Sequence, residues 1–496
     1  MLFNSYAFLF LFLPAILIGT IAIERGLGRR AALHFLTLAS LFFYWRLAGQ
    51  AALALLILSI LGNLLFARAI AAKRHTGTLA ARILVIAGVG LNLALLGYFK
   101  YANFFLEVVG QAAGQAFAPL DVLLPIGISF FTFMQIAYLV DVYGGEAEVY
   151  GLGDYALFVS FFPYVTAGPI VHHSEIIPQY RAAAPASFIE RLLPGLTLFS
   201  LGLFKKVVFA DSLGAYADAV FNGAAFGAVP SLPDAWTGAV TYTLQLYFDF
   251  SGYSDMAIGL GAMLGIRLPI NFNSPYKATD IADFWRRWHM TLTRFFTSYI
   301  YMPLAVRSTR RHGIGAADAP ALAYVRTVAI PVLVTFFLAG LWHGAGWNFV
   351  VFGLVHGTAL CIFRGWRMGG LPLLPRPLAW AATMLVVIAG MVLFRADSLG
   401  TALTILRGMV AGGGGFADYA AQAWMVGLGA VALLAPNTQE LMHRFPVSSD
   451  DIFVAGSGRW RLEWRDNAAG IVAAALTFCI AVLSITRASQ FLYYQF

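Results

Sequence analysis

Apolar runs of close to twenty residues recur along almost the whole chain, and most of the arginines collect in the short stretches between them. A helix of about 20 mostly apolar residues crosses the hydrocarbon core of a bilayer. Runs near 5–23, 32–48, 51–70, 83–99, 153–170, 192–210, 236–262, 327–342, 346–363, 376–394, 421–435 and 468–486 meet that requirement. Only 11% of the residues are charged and 60% are hydrophobic, whereas soluble domains carry roughly 25% charged residues. A soluble globule and a disordered chain are both excluded. The reading is an all-α polytopic membrane protein with about 11–13 transmembrane helices plus re-entrant segments, a single domain over 1–496.

The segment Met1 to Glu24 lacks a basic leading region and a small-residue cleavage site, so it is expected to be the first span and not a signal peptide. Arg25, Arg29 and Arg30 follow it, and Arg68, Lys73, Arg74 and Arg82 follow the third run. Loops of this kind face the cytoplasm, which places the N-terminus outside. Arg307, Arg310, Arg311 and Arg326 mark a third such loop, and Arg459, Arg461 and Arg465 a fourth. The net charge of +8 is therefore a topology signal, and no nucleic-acid partner is expected. Cys361 and Cys479 stand in apolar runs without a CxxC pair, which argues against a disulfide framework or thiolate zinc.

Two stretches do not read as simple spans. Pro125 and Gly127 interrupt Leu124 to Tyr143, and Arg286, Arg287, His289 and Arg294 alternate with aromatics between Asp283 and Leu304. Irregular or charged backbone at membrane depth survives only when buried in protein or lining a wet cavity. Both stretches are read as re-entrant or interfacial segments around such a cavity.

Ionisable side chains within apolar runs are costly and usually functional. His343 ends one run, and a turn with Gly344 and Gly346 leads into the next. Its imidazole can take and return a proton near neutral pH, which suits deprotonation of a hydroxyl attacking an acyl carbonyl. A hydrogen-bonded packing imidazole is the alternative. His356, in the middle of the next run, is read as structural. His289 sits beside Trp285 and Trp288, where Arg286 and Arg287 can hold the phosphates of an anionic donor. Headgroup anchoring is the other reading. Asp249 and Asp255 lie six positions apart, so they are expected to partner buried cations and not to form a carboxylate dyad. The polar turn Asn271 to Asp280 reads as a connector. His172 and His173 are adjacent, and adjacent side chains diverge on a helix, so no metal site is expected. Nucleophile-elbow, Walker, dinucleotide and HExxH patterns are missing, which removes support for hydrolase and nucleotidase classes.

Together the stretches NSYAFLFLFLP, GYFKYANFF, LPIGISFFTF, FFPYVTAGPI, GLFKKVVFAD, QLYFDFSGYSDMAIG, NFNSPY, FWRRWHMTL, GLWHGAGWNF and LFRADS occur in an order and spacing that resembles the membrane-bound O-acyltransferase family, in particular its alginate O-acetyltransferase branch. The resemblance implies a ring of helices around a funnel, with the motif region over 97–397. It also implies that His343 is catalytic and that His289 is a second polar residue in the tunnel. The donor-binding set becomes Arg286, Arg287, Trp285, Trp342, Asn348 and Asp249. The implied reaction moves acetyl groups from cytoplasmic acetyl-CoA, an acyl-CoA donor and not a bound cofactor, across a bacterial inner membrane to an exported polysaccharide. Implied partners are membrane lipid, a periplasmic acetyltransferase and secretion machinery. Alginate is the namesake acceptor; cellulose, another exopolysaccharide or peptidoglycan are alternatives. The rivals are a D-alanyl transferase for teichoic acid and an ion-coupled transporter using Asp249 and Asp255.

Overall fold

In the computed structural model, residues 1–74, 79–182, 187–312, 320–415, 418–445, 447–449, 462–486 and 489–492 are described. Among them, eight helical segments are long and apolar enough to cross a membrane: Phe8–Leu27, Arg29–Ala48, Gln50–Arg74, Leu79–Ala113, Phe188–Ala225, Ala321–His343, Trp347–Met368 and Arg376–Arg395. Four shorter apolar helices accompany them, Ile128–Gly144, Leu399–Ala411, Tyr419–Leu434 and Ala468–Leu483. No strand occurs among the described residues beyond one isolated bridge between Leu268 and Ser448. The protein is an all-α, multi-pass membrane protein.

The Leu232–Met263 helix is 32 residues long and buried along nearly all of its surface. A helix covered on every side belongs inside a bundle, and the Phe188–Phe204 and Asp211–Ala225 helices pack along it. Of its three carboxylates, the two in its middle, Asp249 and Asp255, are neutralised by lysines. Asp255 meets Lys205 at 2.5 Å and accepts from Thr438 and Gln439. Asp249 meets Lys206 at 2.7 Å and accepts from the backbone N–H of Leu492. Lys205 and Lys206 share one π-helical turn, Lys205–Ala210, so one local irregularity serves both acids.

Two expectations fail. The run near 153–170 is no span: the helix stops at Leu152–Ser160, and the chain turns through Pro163 to Gly168 while remaining buried. Proline removes a backbone donor and glycine permits the tight return. The stretch from Ile128 is not broken, because Pro125 and Gly127 precede the helix, and Ile128–Gly144 runs uninterrupted and largely buried. Gly127 has φ +80°, and a Cβ there would lie 2.3 Å from the Val165 carbonyl. The start of that helix therefore docks on the buried turn.

Arg29 donates to the carbonyls of Gln179 and Gly265, Arg30 pairs with Asp154, and Arg74 donates to the Val142 carbonyl. The first two basic loops thus gather at one end of the bundle with the end of Ile128–Gly144. Arg465 is exposed and paired with Glu463 at 2.8 Å; Arg459 and Arg461 lie outside the described residues.

Candidate active site

The Ile330–His343 helix ends on His343, and the extended residues Gly344 and Gly346 carry the chain into the Trp347–Met368 helix. The two helices then cross in intimate contact. A Cβ on Gly353 would lie 2.2 Å from the Phe336 carbonyl, and one on Gly340 2.3 Å from the Phe349 carbonyl. Small residues allow such approach in membranes, where apolar side chains gain little by leaving lipid. The carbonyls at the end of the first helix have no partners within it. Lys100 donates to those of Trp342 (2.5 Å) and His343 (3.3 Å), and Tyr101 to that of Leu341 (2.6 Å). Both donors come from a π-helical turn, Gly97–Tyr101, and a cation at a helix C-terminus is favoured by its dipole.

His289 links the short helices Ile281–Arg287 and Met290–Phe296. Its φ of +44° is left-handed, a conformation that a non-glycine residue holds only where its surroundings impose it. Asn271 does so: its backbone carbonyl accepts from Met290, and its side-chain oxygen lies 3.1 Å from His289 Nδ1 and accepts from Thr291. Because the amide oxygen accepts, Nδ1 carries the proton and Nε2 the lone pair. The turn Asn271 to Asp280 is therefore more than a connector.

The structure brings the two imidazoles together, with ring centroids 6.4 Å apart. The indole of Trp342 lies against both, 4.9 Å from His343 and 6.0 Å from His289. A cavity of about 240 Å³ reaches this point, lined by His343, Trp285, Arg286, Phe336, Phe352 and Arg364. Arg364 donates to the Tyr301 hydroxyl at 2.9 Å, so two guanidinium groups belong to a largely apolar channel. A second cavity of about 690 Å³ lies on the other side of the same turn, lined by Lys100, Asn103, Glu107, Gln111, Gln115 and Ala345. It lies beside the 114–127 connection, at the end of the bundle opposite the first two basic loops. Phe104, Leu106 and Phe117 also line it, so the rear of the His343 turn is mixed and its front almost wholly apolar.

Other residues of the sequence reading have different work. Arg287 is tied to Asp283 at 2.9 Å and to the Asn273 carbonyl, which fixes the polar turn. Asn348 donates to the carbonyls of Leu393 and Ala396, capping the end of Arg376–Arg395. Asp249 is held by Lys206 and does not line the His343 cavity. None of these three lines the His343 cavity, while Trp285 and Arg286 do and Trp342 packs on the imidazoles. His356 is buried among Phe284, Trp285 and Phe352, and among the described residues neither of its ring nitrogens has a hydrogen-bond partner.

His172 and His173 do not diverge. His172 precedes the His173–Arg181 helix in an extended conformation (φ −99°, ψ 140°), so helical geometry does not separate the pair. Both Nε2 atoms lie 2.8 Å from Asp141 Oδ2. Lys100, Tyr101, Asn271, Asp141 and Tyr299 were not singled out by sequence. The resemblance segment GYFKYANFF contains the first two, which was the available signal.

The same region of the chain is matched in known proteins. The family model of membrane-bound O-acyltransferases matches residues 123–369, which include both central histidines. The peptidoglycan O-acetyltransferase of Helicobacter pylori is 40% identical over 444 residues, covering 83% of this chain and 80% of that protein. The probable alginate O-acetylase AlgI of Pseudomonas aeruginosa is 38% identical over 419 residues, covering 82% and 75%. A teichoic acid D-alanyltransferase of Streptococcus thermophilus is more distant, 28% identical over 248 residues, covering 49% and 57%. With relatives of this kind covering four-fifths of its length, the chain belongs to the membrane-bound O-acyltransferase family.

Proposed function

We propose that the chain takes acetyl groups from acetyl-CoA on the cytoplasmic side of a bacterial inner membrane and passes them towards an exported glycan, of which alginate and peptidoglycan are two candidates. One observation carries the reading: two cavities, one almost wholly apolar and one of mixed lining, approach the His343 turn from different sides. The apolar cavity, with Arg286 and Arg364 among its lining residues, suits a thioester whose charged end stays outside. The mixed cavity, with Asn103, Glu107, Gln111 and Gln115 among its lining residues, suits a hydroxyl-bearing acceptor. His343 takes the proton of the acceptor hydroxyl as its oxygen attacks the thioester carbonyl. The same proton then goes to the departing thiolate, and His289 orients the carbonyl or stabilises its developing charge. The acceptor is the glycan itself or a periplasmic acetyltransferase that relays the group, with secretion machinery beyond it.

The test uses purified protein in lipid with radiolabelled acetyl-CoA. Wild type releases CoA in the presence of acceptor extract, while His343→Ala loses at least about 10²-fold of that rate. Retention of full activity by His343→Ala would sink the assignment. Turnover only with an aminoacyl carrier protein would replace acetyl-CoA by the donor type of a D-alanyl transferase.

A further inference from the structure

We propose that Asp141, His172 and His173, with the hydroxyl of Tyr299, form a binding site for one divalent transition-metal ion of the zinc class. Asp141 comes from the end of Ile128–Gly144, the two histidines from the start of His173–Arg181, and Tyr299 from the π-helical turn Thr297–Tyr301. Three separate elements thus deliver imidazole, carboxylate and phenol oxygens to one point. The ligand atoms of the first three all lie within 4.8 Å of one another. Tyr299 Oη stands 2.8 Å from Asp141 Oδ2 and 2.7 Å from His172 Nε2.

Tetrahedral zinc holds nitrogen and oxygen ligands at about 2.0–2.2 Å, which separates neighbouring ligand atoms by about 3.3 Å. Each 2.8 Å contact therefore needs to open by about 0.5 Å to admit the ion, a rotamer-scale adjustment. The outer nitrogens are already supported. His172 Nδ1 is 2.6 Å from Ser174 Oγ, and His173 Nδ1 is 3.0 Å from the Tyr150 hydroxyl. When both Nε2 atoms bind metal, each Nδ1–H donates to its hydroxyl, the usual outer partner of a ligating histidine, and His172 Nδ1 gives up the long 3.4 Å bond it accepts from the Ser174 backbone N–H. Two imidazoles and one carboxylate select zinc-like ions over magnesium or calcium, which prefer all-oxygen sites.

Four protein groups close a tetrahedron, so the ion has a structural role. Its consequence lies next door, because Thr297 and Tyr301 of the same π-helical turn line the His343 cavity. The metal would fix that wall.

Full-length protein in lipid nanodiscs, stripped with chelator and then equilibrated with Zn²⁺, is analysed for metal content by mass spectrometry. Wild type retains one zinc per chain, and His172→Ala and Asp141→Asn retain only background. Zn²⁺ raises the melting temperature of wild type and not that of His172→Ala. Co²⁺ gives the strong visible absorption of a tetrahedral site in wild type alone. The part-exposed His172 can be truncated without opening the core, so this variant, checked for an unchanged elution profile, decides the matter. Equal zinc in wild type and His172→Ala, or only the weak spectrum of octahedral Co²⁺, overturns the site and leaves a hydrogen-bonded cluster.

Discussion

A buried imidazole is useful only as far as its neighbours fix its direction, and here the neighbours differ for the two histidines. His343 is aimed by a helix end whose carbonyls are gripped by Lys100 and Tyr101. His289 is aimed by one amide, Asn271, which holds both its ring and the backbone that follows it. Asn271→Ala is therefore expected to lower kcat by up to about 10²-fold, the scale of a misplacement near 1 Å, with the donor KM little changed. Asn271→Asp keeps the accepting oxygen and restores part of the rate. Steady-state kinetics on both variants checks this; loss of thermal stability with no split between kcat and KM would make Asn271 merely structural. The histidines were legible because an ionisable group in an apolar run stands out. Asn271 and Lys100 were not, since neither their type nor their position announces what they reach across the fold. His172 and His173 were misread for a local reason: divergence on a helix applies only where both residues are helical, and one dihedral pair removes His172 from that rule.

The spans were visible as apolar runs, whereas the features that place chemistry on them were not. Among the described residues, five π-helical turns interrupt otherwise regular helices. Those at Gly97–Tyr101, Lys205–Ala210 and Thr297–Tyr301 present Lys100 and Tyr101, Lys205 and Lys206, and Tyr299 and Tyr301. An inserted residue leaves no mark on composition or periodicity, yet such bulges concentrate at functional sites. The crossing of Ile330–His343 with Trp347–Met368 was not legible: the sequence drew attention to Gly344 and Gly346 in the turn, whereas Gly340 and Gly353 make the close approach. Gly353→Val has no room for its side chain against the Phe336 carbonyl. Overpacking of this kind costs about 1–3 kcal/mol, and the two helices must separate at the point that carries His343. The variant is expected to melt earlier than wild type and to lose acyl transfer, with Gly353→Ala between the two. Thermal denaturation in lipid alongside the CoA-release assay measures both; a variant that keeps wild-type activity would show that the crossing does not set the position of His343.

For the molecule as a whole, the two cavities matter only if they open on different compartments. The first two basic loops stand at one end of the bundle, together with Asp141, Asp154 and Arg181. Tyr299 joins the same group through Asp141, and its turn carries Tyr301, the partner of Arg364 in the apolar cavity. The mixed cavity lies with the 114–127 connection, at the end where Ile128–Gly144 begins. Positive loops are in general retained in the cytoplasm, so the proposed function expects the apolar cavity on the cytoplasmic side and the second cavity on the periplasmic side. Single cysteines in a background of Cys361→Ser and Cys479→Ser test this directly. An impermeant maleimide applied to intact spheroplasts is expected to label Ala118→Cys and to spare Arg311→Cys until the membrane is opened. The reverse pattern would place the apolar cavity in a compartment without acyl-CoA, and the donor assignment would fall while the histidine pair kept its geometry. Labelling of both sites from outside would mean that Arg311 does not mark a cytoplasmic loop, and the inference from charge to orientation would then rest on Arg25, Arg29 and Arg30 and on Arg68, Lys73, Arg74 and Arg82.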